Sequence, residues 1–450
     1  MDALIVIFAT GLLTMFIAMT KKPVLVLTVA LIGLLTAVGL FVSQWYAPRN
    51  LFNYDGLLFD QIAIKFSVLA TVLAICIILG GFSYLSKEKE HSGEYISLLI
   101  FSLVGALCMI AFTDMFMFFL GLEIMSIPIY VMAGSKKQSL LSTEASVKYF
   151  FTGAFATGVF LFGLAWIYGA TGTFKLEEIE LIVTSGKGSS GLLEVGVLLM
   201  LASFLFKVGA APFHFWGPDV YAGSPTVVTG FMASIVKLAG LFAFMKVFTF
   251  MFHGVHELWA NALYVLVMLT VVVGNFSALK QSKFKRLLAF SSIANAGYAL
   301  MAVMVFDVNS YANLFTYVLG YGFSIVSLIT ISVIVDQDED EISSLKGIGR
   351  SNPIIGIAAT VALLSLAGIP PLAGFFGKYM VFASAFAKYP VMVIVAIITS
   401  GIGMVYYLKT LMTILGEHDQ DTVITKPTVL HYAVLAIATI GSVIGGFLVF

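Results

Sequence analysis

Apolar residues run through this chain in long blocks, and polar residues collect in the short stretches between them. A bilayer core of roughly 30 Å needs about 20 apolar residues in helix, and only helices or closed barrels satisfy their backbone in lipid. The blocks reach that length without the alternation of a membrane barrel, so helices are expected. Reading between charged or Gly/Pro-rich breaks predicts spans near 3–20, 23–46, 61–85, 95–112, 114–134, 144–170 and 192–222. The series continues near 224–250, 258–279, 284–306, 311–335, 352–384, 390–415 and 428–449, fourteen in all. Lys21 and Lys22 follow the first block rather than precede it, which predicts a membrane span there and not a cleaved signal peptide.

Composition agrees with an all-α polytopic membrane protein: 60% of the 450 residues are hydrophobic and 11% charged, against about 25% charged in soluble domains. With 24 basic and 24 acidic residues, no basic excess points to nucleic acid. Cys76 and Cys108 lie inside apolar blocks, without a second metal ligand or a disulfide framework.

Loop charge predicts orientation, because Lys and Arg collect on the cytoplasmic side. Odd-numbered loops hold thirteen of them, including Lys136, Lys137, Lys283, Lys285, Arg286 and Lys346; even-numbered loops hold Arg49, Lys175, Lys187 and Lys388. Odd loops are therefore expected in the cytoplasm and both termini on the opposite, periplasmic side. The acidic stretch Asp336, Asp338, Glu339, Asp340 and Glu341 lacks the glycine that an EF-hand needs at its sixth position, and is read as a solvated loop.

Seven lysines fall inside the predicted spans. Lys65, Lys246 and Lys409 lie toward helix ends and are expected to snorkel to the headgroups. Lys148, Lys207, Lys237 and Lys378 do not fit that reading as easily. A central charge costs roughly 2.5–3.5 kcal/mol on insertion scales, so each needs compensation. One central carboxylate, Glu123, is available as a partner, and an acid and an amine whose ionisation depends on their separation form a proton switch. Several lysines through consecutive spans imply a hydrated polar path.

Two spans also carry mid-depth helix breakers: Pro212 and Pro218 in the seventh, Gly368, Pro370 and Pro371 in the twelfth. Lys207 precedes the first break and Lys378 follows the second. Broken helices of this kind mark ion sites at corresponding places of internal repeats. The spacing predicts two inverted five-helix repeats, at 95–250 (spans four to eight) and 258–415 (nine to thirteen), preceded by three helices in 1–94 and followed by a last helix in 428–450.

Three stretches carry a resemblance. They are Glu144-Ala-Ser-Val-Lys148-Tyr-Phe, the run from Pro212 through His214, Pro218, Asp219 and Tyr221 to Pro225, and the run from Ser365 through Gly368 and Pro370 to Gly377 and Lys378. They resemble the antiporter-like membrane subunits of respiratory complex I, NADH-quinone oxidoreductase, and among these the N-type. Asp219-Val-Tyr221 favours the N-type over its L- and M-type sisters, and Lys378 favours it over the M-type. The resemblance implies a proton path through Glu123, Lys207, Lys237 and Lys378, with Lys148 and His214 as secondary candidates. It implies no cofactor in this chain, with flavin, iron–sulfur clusters and quinone in partner subunits. M-type and K-type neighbours and the lateral helix of an L-type subunit are the implied partners, in a bacterial inner membrane. A multi-subunit cation/proton antiporter or a membrane-bound hydrogenase is the alternative setting.

Other signals are weaker. His253 and His256 have ligand spacing but no third candidate, which argues against a catalytic zinc site. The stretch from Gly186 to Gly191 lacks phosphate-loop spacing and reads as a linker.

Overall fold

The structure is a computed structural model, described here for residues 1–46, 54–87, 91–186, 190–335, 340–417 and 426–447. Arg49, Lys89, Lys187, the centre of the Gly186–Gly191 linker and the acidic residues Asp336, Asp338 and Glu339 lie outside the described residues.

Every long apolar block forms a helix. The first group is α1 (Asp2–Ala18), α2 (Pro23–Tyr46), α3 (Gln61–Lys87), α4 (Ser92–Ala111), α5 (Met115–Ala133) and α6 (Leu140–Thr171). Then come α7 (Leu176–Thr184), α8 (Ser190–Val208), α9 (Trp216–Gly223), α10 (Thr226–Phe231) and α11 (Lys237–Met245). The remainder are α12 (His256–Ala278), α13 (Phe284–Val305), α14 (Ser310–Val335), α15 (Ile348–Ser351), α16 (Pro353–Ala367), α17 (Ala373–Phe386), α18 (Pro390–Leu415) and α19 (Val429–Ile444). Among the described residues eleven helical stretches are long and apolar enough to cross a bilayer, where fourteen spans were expected; α1, α16 and α19 are shorter apolar helices. The difference arises partly because the twelfth expected span is two half-helices, α16 and α17. The short amphipathic α7 has no counterpart among the expected spans.

Both expected breaks are present, and each opens on a glycine in the left-handed region. Gly209 (φ +73°) ends α8, and Gly368 (φ +83°) caps α16. Only glycine adopts that conformation at little cost. Each break leaves carbonyls at a helix end without an intrahelical donor, so a polar partner is required there.

The core of the bundle is the rod Thr226–Met251, enclosed along its apolar window by other helices. It is not a regular α-helix: π-turns at Met232–Val236 and Lys246–Met251 flank α11. A π-turn inserts one residue and rotates the helix beyond it, and such bulges recur at functional sites. Lys237 is the first residue after the first π-turn. Around the rod, helices approach closely where glycines permit it. A Cβ on Gly105 of α4 would lie 2.2 Å from the Met125 backbone nitrogen of α5.

Loops pair at opposite ends of the bundle. Leu57 lies against Phe112 and Asp114 against Lys175 at one end; Lys283 lies against Glu341 at the lysine-rich end.

Candidate functional site

The polar residues of the spans converge. On α5 the Asp114 carboxylate caps the helix, and Glu123 falls near its middle, accepting a hydrogen bond from Thr157 of α6 at 2.9 Å. One turn on, Ser126 accepts from the Lys207 ammonium at 2.5 Å. Glu123 and Lys207 are thus close but make no direct ion pair within 4 Å among the described residues; Ser126 stands at the contact. Lys207 occupies the last turn of α8, where the negative end of the helix dipole favours a cation. The Tyr130 ring lies 6.0 Å beneath its ammonium.

Lys237 is 7% exposed and has no carboxylate partner among the described residues. Its ammonium donates to the Ser292 carbonyl of α13 at 2.6 Å and also to the Ser292 hydroxyl. A cavity of about 20 Å³ joins Lys207 and Lys237, walled by Tyr149, Trp216, Tyr221 and Ser292. That is room for about one water.

Beyond Ser292 a chain of neutral groups crosses α13, α12, α14 and α18. Ser291 bonds the Tyr407 hydroxyl at 2.5 Å, Asn295 donates to the same hydroxyl at 3.2 Å, and Tyr317 donates to Asn295 at 2.6 Å. The Tyr407 ring packs on Tyr406, which donates to Asn275 at 3.1 Å. Asn275 in turn donates to Tyr298 at 2.8 Å, and the Lys378 ammonium sits 5.2 Å over the Tyr298 ring.

Lys378, also 7% exposed, donates to the Leu366 carbonyl at 2.7 Å, the Ala367 carbonyl at 3.4 Å and Ser400 at 3.1 Å. The first two are carbonyls freed by the break at Gly368, so α17 supplies the cation that the C-terminal end of α16 lacks. Lys378 also lines an open groove of about 480 Å³ with Gly368, Tyr379, Phe382 and Ser400.

The remaining candidates sit apart from this line. Lys148 faces the lysine-rich end, where it pairs with Glu144 and Asp219, each at 2.6 Å, while Arg286 bonds the other Asp219 oxygen at 2.7 Å. It ties α6 to α9 and α13 rather than lying on the central chain. His214, within the break, is buried against Phe215, and its Nδ1 has no hydrogen-bond partner among the described residues. Lys65 and Lys409 are exposed, as expected of snorkelling side chains. Lys246 is partly exposed; its ammonium bonds the Phe112 carbonyl at 2.5 Å and rests over the Phe112 ring. His253 stacks on Phe306 and His256 bonds the Met304 carbonyl.

Sequence reading missed Ser126, Ser292, Asn275, Asn295, Ser400 and the tyrosines of the chain. Only the two asparagines stood out as costly groups for an apolar block.

A family model described as the transmembrane region of NADH:quinone oxidoreductase and Mrp antiporters matches residues 113–403. The chain belongs to this family of antiporter-like membrane subunits. Within it, the similarity is to subunit N of NADH-quinone oxidoreductase. The protein of that name from Cytophaga hutchinsonii is 38% identical over 434 residues, covering 95% of this chain and 93% of its own length. The one from Trichlorobacter lovleyi is 38% identical over 428 residues, covering 93% and 87%. Among solved structures, a chain of respiratory complex I from Thermus thermophilus with bound aureothin aligns with a TM-score of 0.86 at 31% identity, over 99% of this chain and 97% of that one. A chain of the Mrp complex from Dietzia sp. shares the fold, with a TM-score of 0.86 at 18% identity.

Proposed function

We propose that this chain moves protons across the bacterial inner membrane as a non-redox subunit of complex I, with both termini on the periplasmic side. The supporting observation is the succession of polar groups, joined by hydrogen bonds and ring contacts, that lies between the Lys207–Lys237 cavity and Lys378. A proton from the cytoplasm reaches Lys207 or Lys237, crosses the neutral hydroxyl and amide chain, and leaves from Lys378 through its open groove. The two broken spans belong to inverted five-helix repeats, 95–250 and 258–415, each holding a lysine at the end of a half-helix.

Outward transfer against the membrane potential costs roughly 2.3 kcal/mol per 100 mV for each charge. This must be supplied by redox subunits that hold the flavin, iron–sulfur clusters and quinone, through M-type, K-type and L-type neighbours. Glu123 is suited to receive the signal. It is only partly buried and lies one turn from Ser126, so a shift of α5 changes both the field at Lys207 and its hydrogen bond.

Replacement of Lys237 by Met is the direct test. In inverted vesicles the complex is expected to assemble and to lose NADH-driven proton uptake, and undiminished uptake refutes the assignment. Purification of the native assembly addresses the alternative. Flavin and iron–sulfur partners with NADH-driven quinone reduction support complex I; cation exchange without redox partners supports an antiporter.

A further inference from the structure

Asp340, which belongs to the acidic stretch read as a solvated loop, is only partly exposed. Asp340 lies against the start of α13: its carbonyl accepts from the Phe284 amide at 2.7 Å and its carboxylate from the Lys285 amide at 2.8 Å. Ile342 donates back to Ser282 at 2.8 Å, which pins the segment. Asp340 takes φ +51°, a left-handed conformation that costs energy for a side-chain-bearing residue. The segment therefore holds this carboxyl in place against a local cost. Burial pushes the carboxyl above its ordinary value, with Lys285 and Lys283 opposing and Glu341 adding to the rise.

The second group is Lys285. Its ammonium turns inward and caps the C-terminal end of α9, donating to the Ala222 carbonyl at 2.8 Å and the Ser224 carbonyl at 3.0 Å. Asp340 and Lys285 share a polar cavity of about 40 Å³, completed by Lys136, Glu341, Tyr84 and Thr226. That is room for two or three waters at most. The charged groups facing the pair are Lys136, which lies over the Tyr84 ring, Lys283 and Glu341.

The inner side of Lys285 leads to the central lysine. Lys285 and Ser292 are seven residues apart on α13, hence on one face and about 10 Å apart along the axis. The Ser224 hydroxyl, on the residue whose carbonyl Lys285 holds, is buried without a hydrogen-bond partner among the described residues. The Tyr221 and Tyr321 hydroxyls lie beside Ser292, which holds Lys237.

We propose that Asp340 and Lys285 form the cytoplasmic proton inlet of this chain, passing protons past the end of α9 to Ser292 and Lys237. The inference rests on the proton-path reading above. The Asp340 carboxylate takes a proton from cytoplasmic water, forming one O–H bond as another breaks. The acid gives it through cavity water to the Lys285 amine, after the Lys285 ammonium has released its own proton inward. One proton advances per cycle, both groups return to their starting states, and no co-reactant is consumed.

Asp340→Asn is the informative variant. Asn keeps the acceptor for the Lys285 amide and tolerates positive φ, yet cannot carry the proton. In inverted vesicles bearing the complete complex, the cytoplasmic face is exposed to the buffer. NADH-driven proton uptake by D340N is expected to fall about tenfold or more, with the deficit deepening as the buffer becomes more alkaline and protons must be collected from scarcer supply. D340E is expected to recover most of the rate. NADH oxidation by an artificial acceptor at the flavin remains at the parental level. An unchanged rate and pH profile in D340N, alongside a defective K237M, overturns the inlet while leaving the central path standing. If K237M is also unimpaired, both readings fall. Should D340N not assemble, Lys285→Gln read in the same assay decides: a parental pH profile overturns the proposal.

Discussion

The buried lysines share one means of support, and carboxylates are not it. Lys237 is held by the carbonyl and hydroxyl of Ser292, and Lys378 by the end of α16 and Ser400. A hydrogen bond to a charged group contributes roughly 1.5–3 kcal/mol. Ser292→Ala is therefore expected to lower the thermal midpoint of the purified complex and to slow proton uptake, whereas Ser292→Thr retains most of both. Tyr298→Phe separates two roles of one side chain. The ring beneath Lys378 stays and the hydroxyl that accepts from Asn275 is lost; a relay hydroxyl predicts a fall in vesicle proton uptake with unchanged assembly. The lysines themselves were legible in the sequence because a charge in an apolar block is conspicuous. Their partners were not, since serine and tyrosine are ordinary in membrane helices and only folding selects which ones face inward. The partner of Lys246 is hidden for the same reason: distance along a helix from its end says nothing of a carbonyl supplied by another segment, here that of Phe112.

At the scale of elements, the breaks were legible and the π-turns were not. Gly-Ile-Pro-Pro announces an interrupted helix, but Met232–Val236 and Lys246–Met251 carry no residue that signals an inserted position. What they accomplish depends on neighbours, because the added residue helps set the side of the rod from which Lys237 reaches Ser292. Helix spacing gives a cleaner prediction. A methyl on Gly105 would meet backbone of α5, at Met125 and Gly121, which cannot swing away. Gly105→Ala is expected to cost about 1–3 kcal/mol, seen as a lower thermal midpoint. Gly158→Ala, where nothing lies within 4 Å, is the control and is expected to be neutral or slightly stabilising. Gly368→Ala bears on the proposed path. It strains a left-handed position and places a methyl 3.1 Å from the Lys378 side chain, so proton uptake is expected to suffer more than stability.

For the molecule as a whole, the class, the membrane setting and the two broken spans followed from block lengths and breakers, while the proposed link from the lysine-rich end to Lys237 did not. That link needs the 340–342 segment brought against the start of α13, a contact between residues more than fifty positions apart. It also predicts how stability varies with acidity. The folded carboxyl of Asp340 titrates above its unfolded value, so the folded chain binds the extra proton within that window and stability falls as pH rises through it. Thermal midpoints of the complex measured across this range are expected to show the decline, and Asp340→Asn to flatten it. The seats that hold the lysines bear on what can travel here. Lys285 and Lys378 each set an ammonium on the carbonyls at the end of a neighbouring helix, and Lys207, in the last turn of α8, bonds the Ser126 hydroxyl, so the nearby oxygens are already engaged. Sodium binds through a cage of oxygens it does not share, and at each station it would first have to evict a tethered ammonium. A proton needs only a nitrogen lone pair, so the proposed path is expected to favour protons over sodium by the kind of atom it presents rather than by the width of a pore.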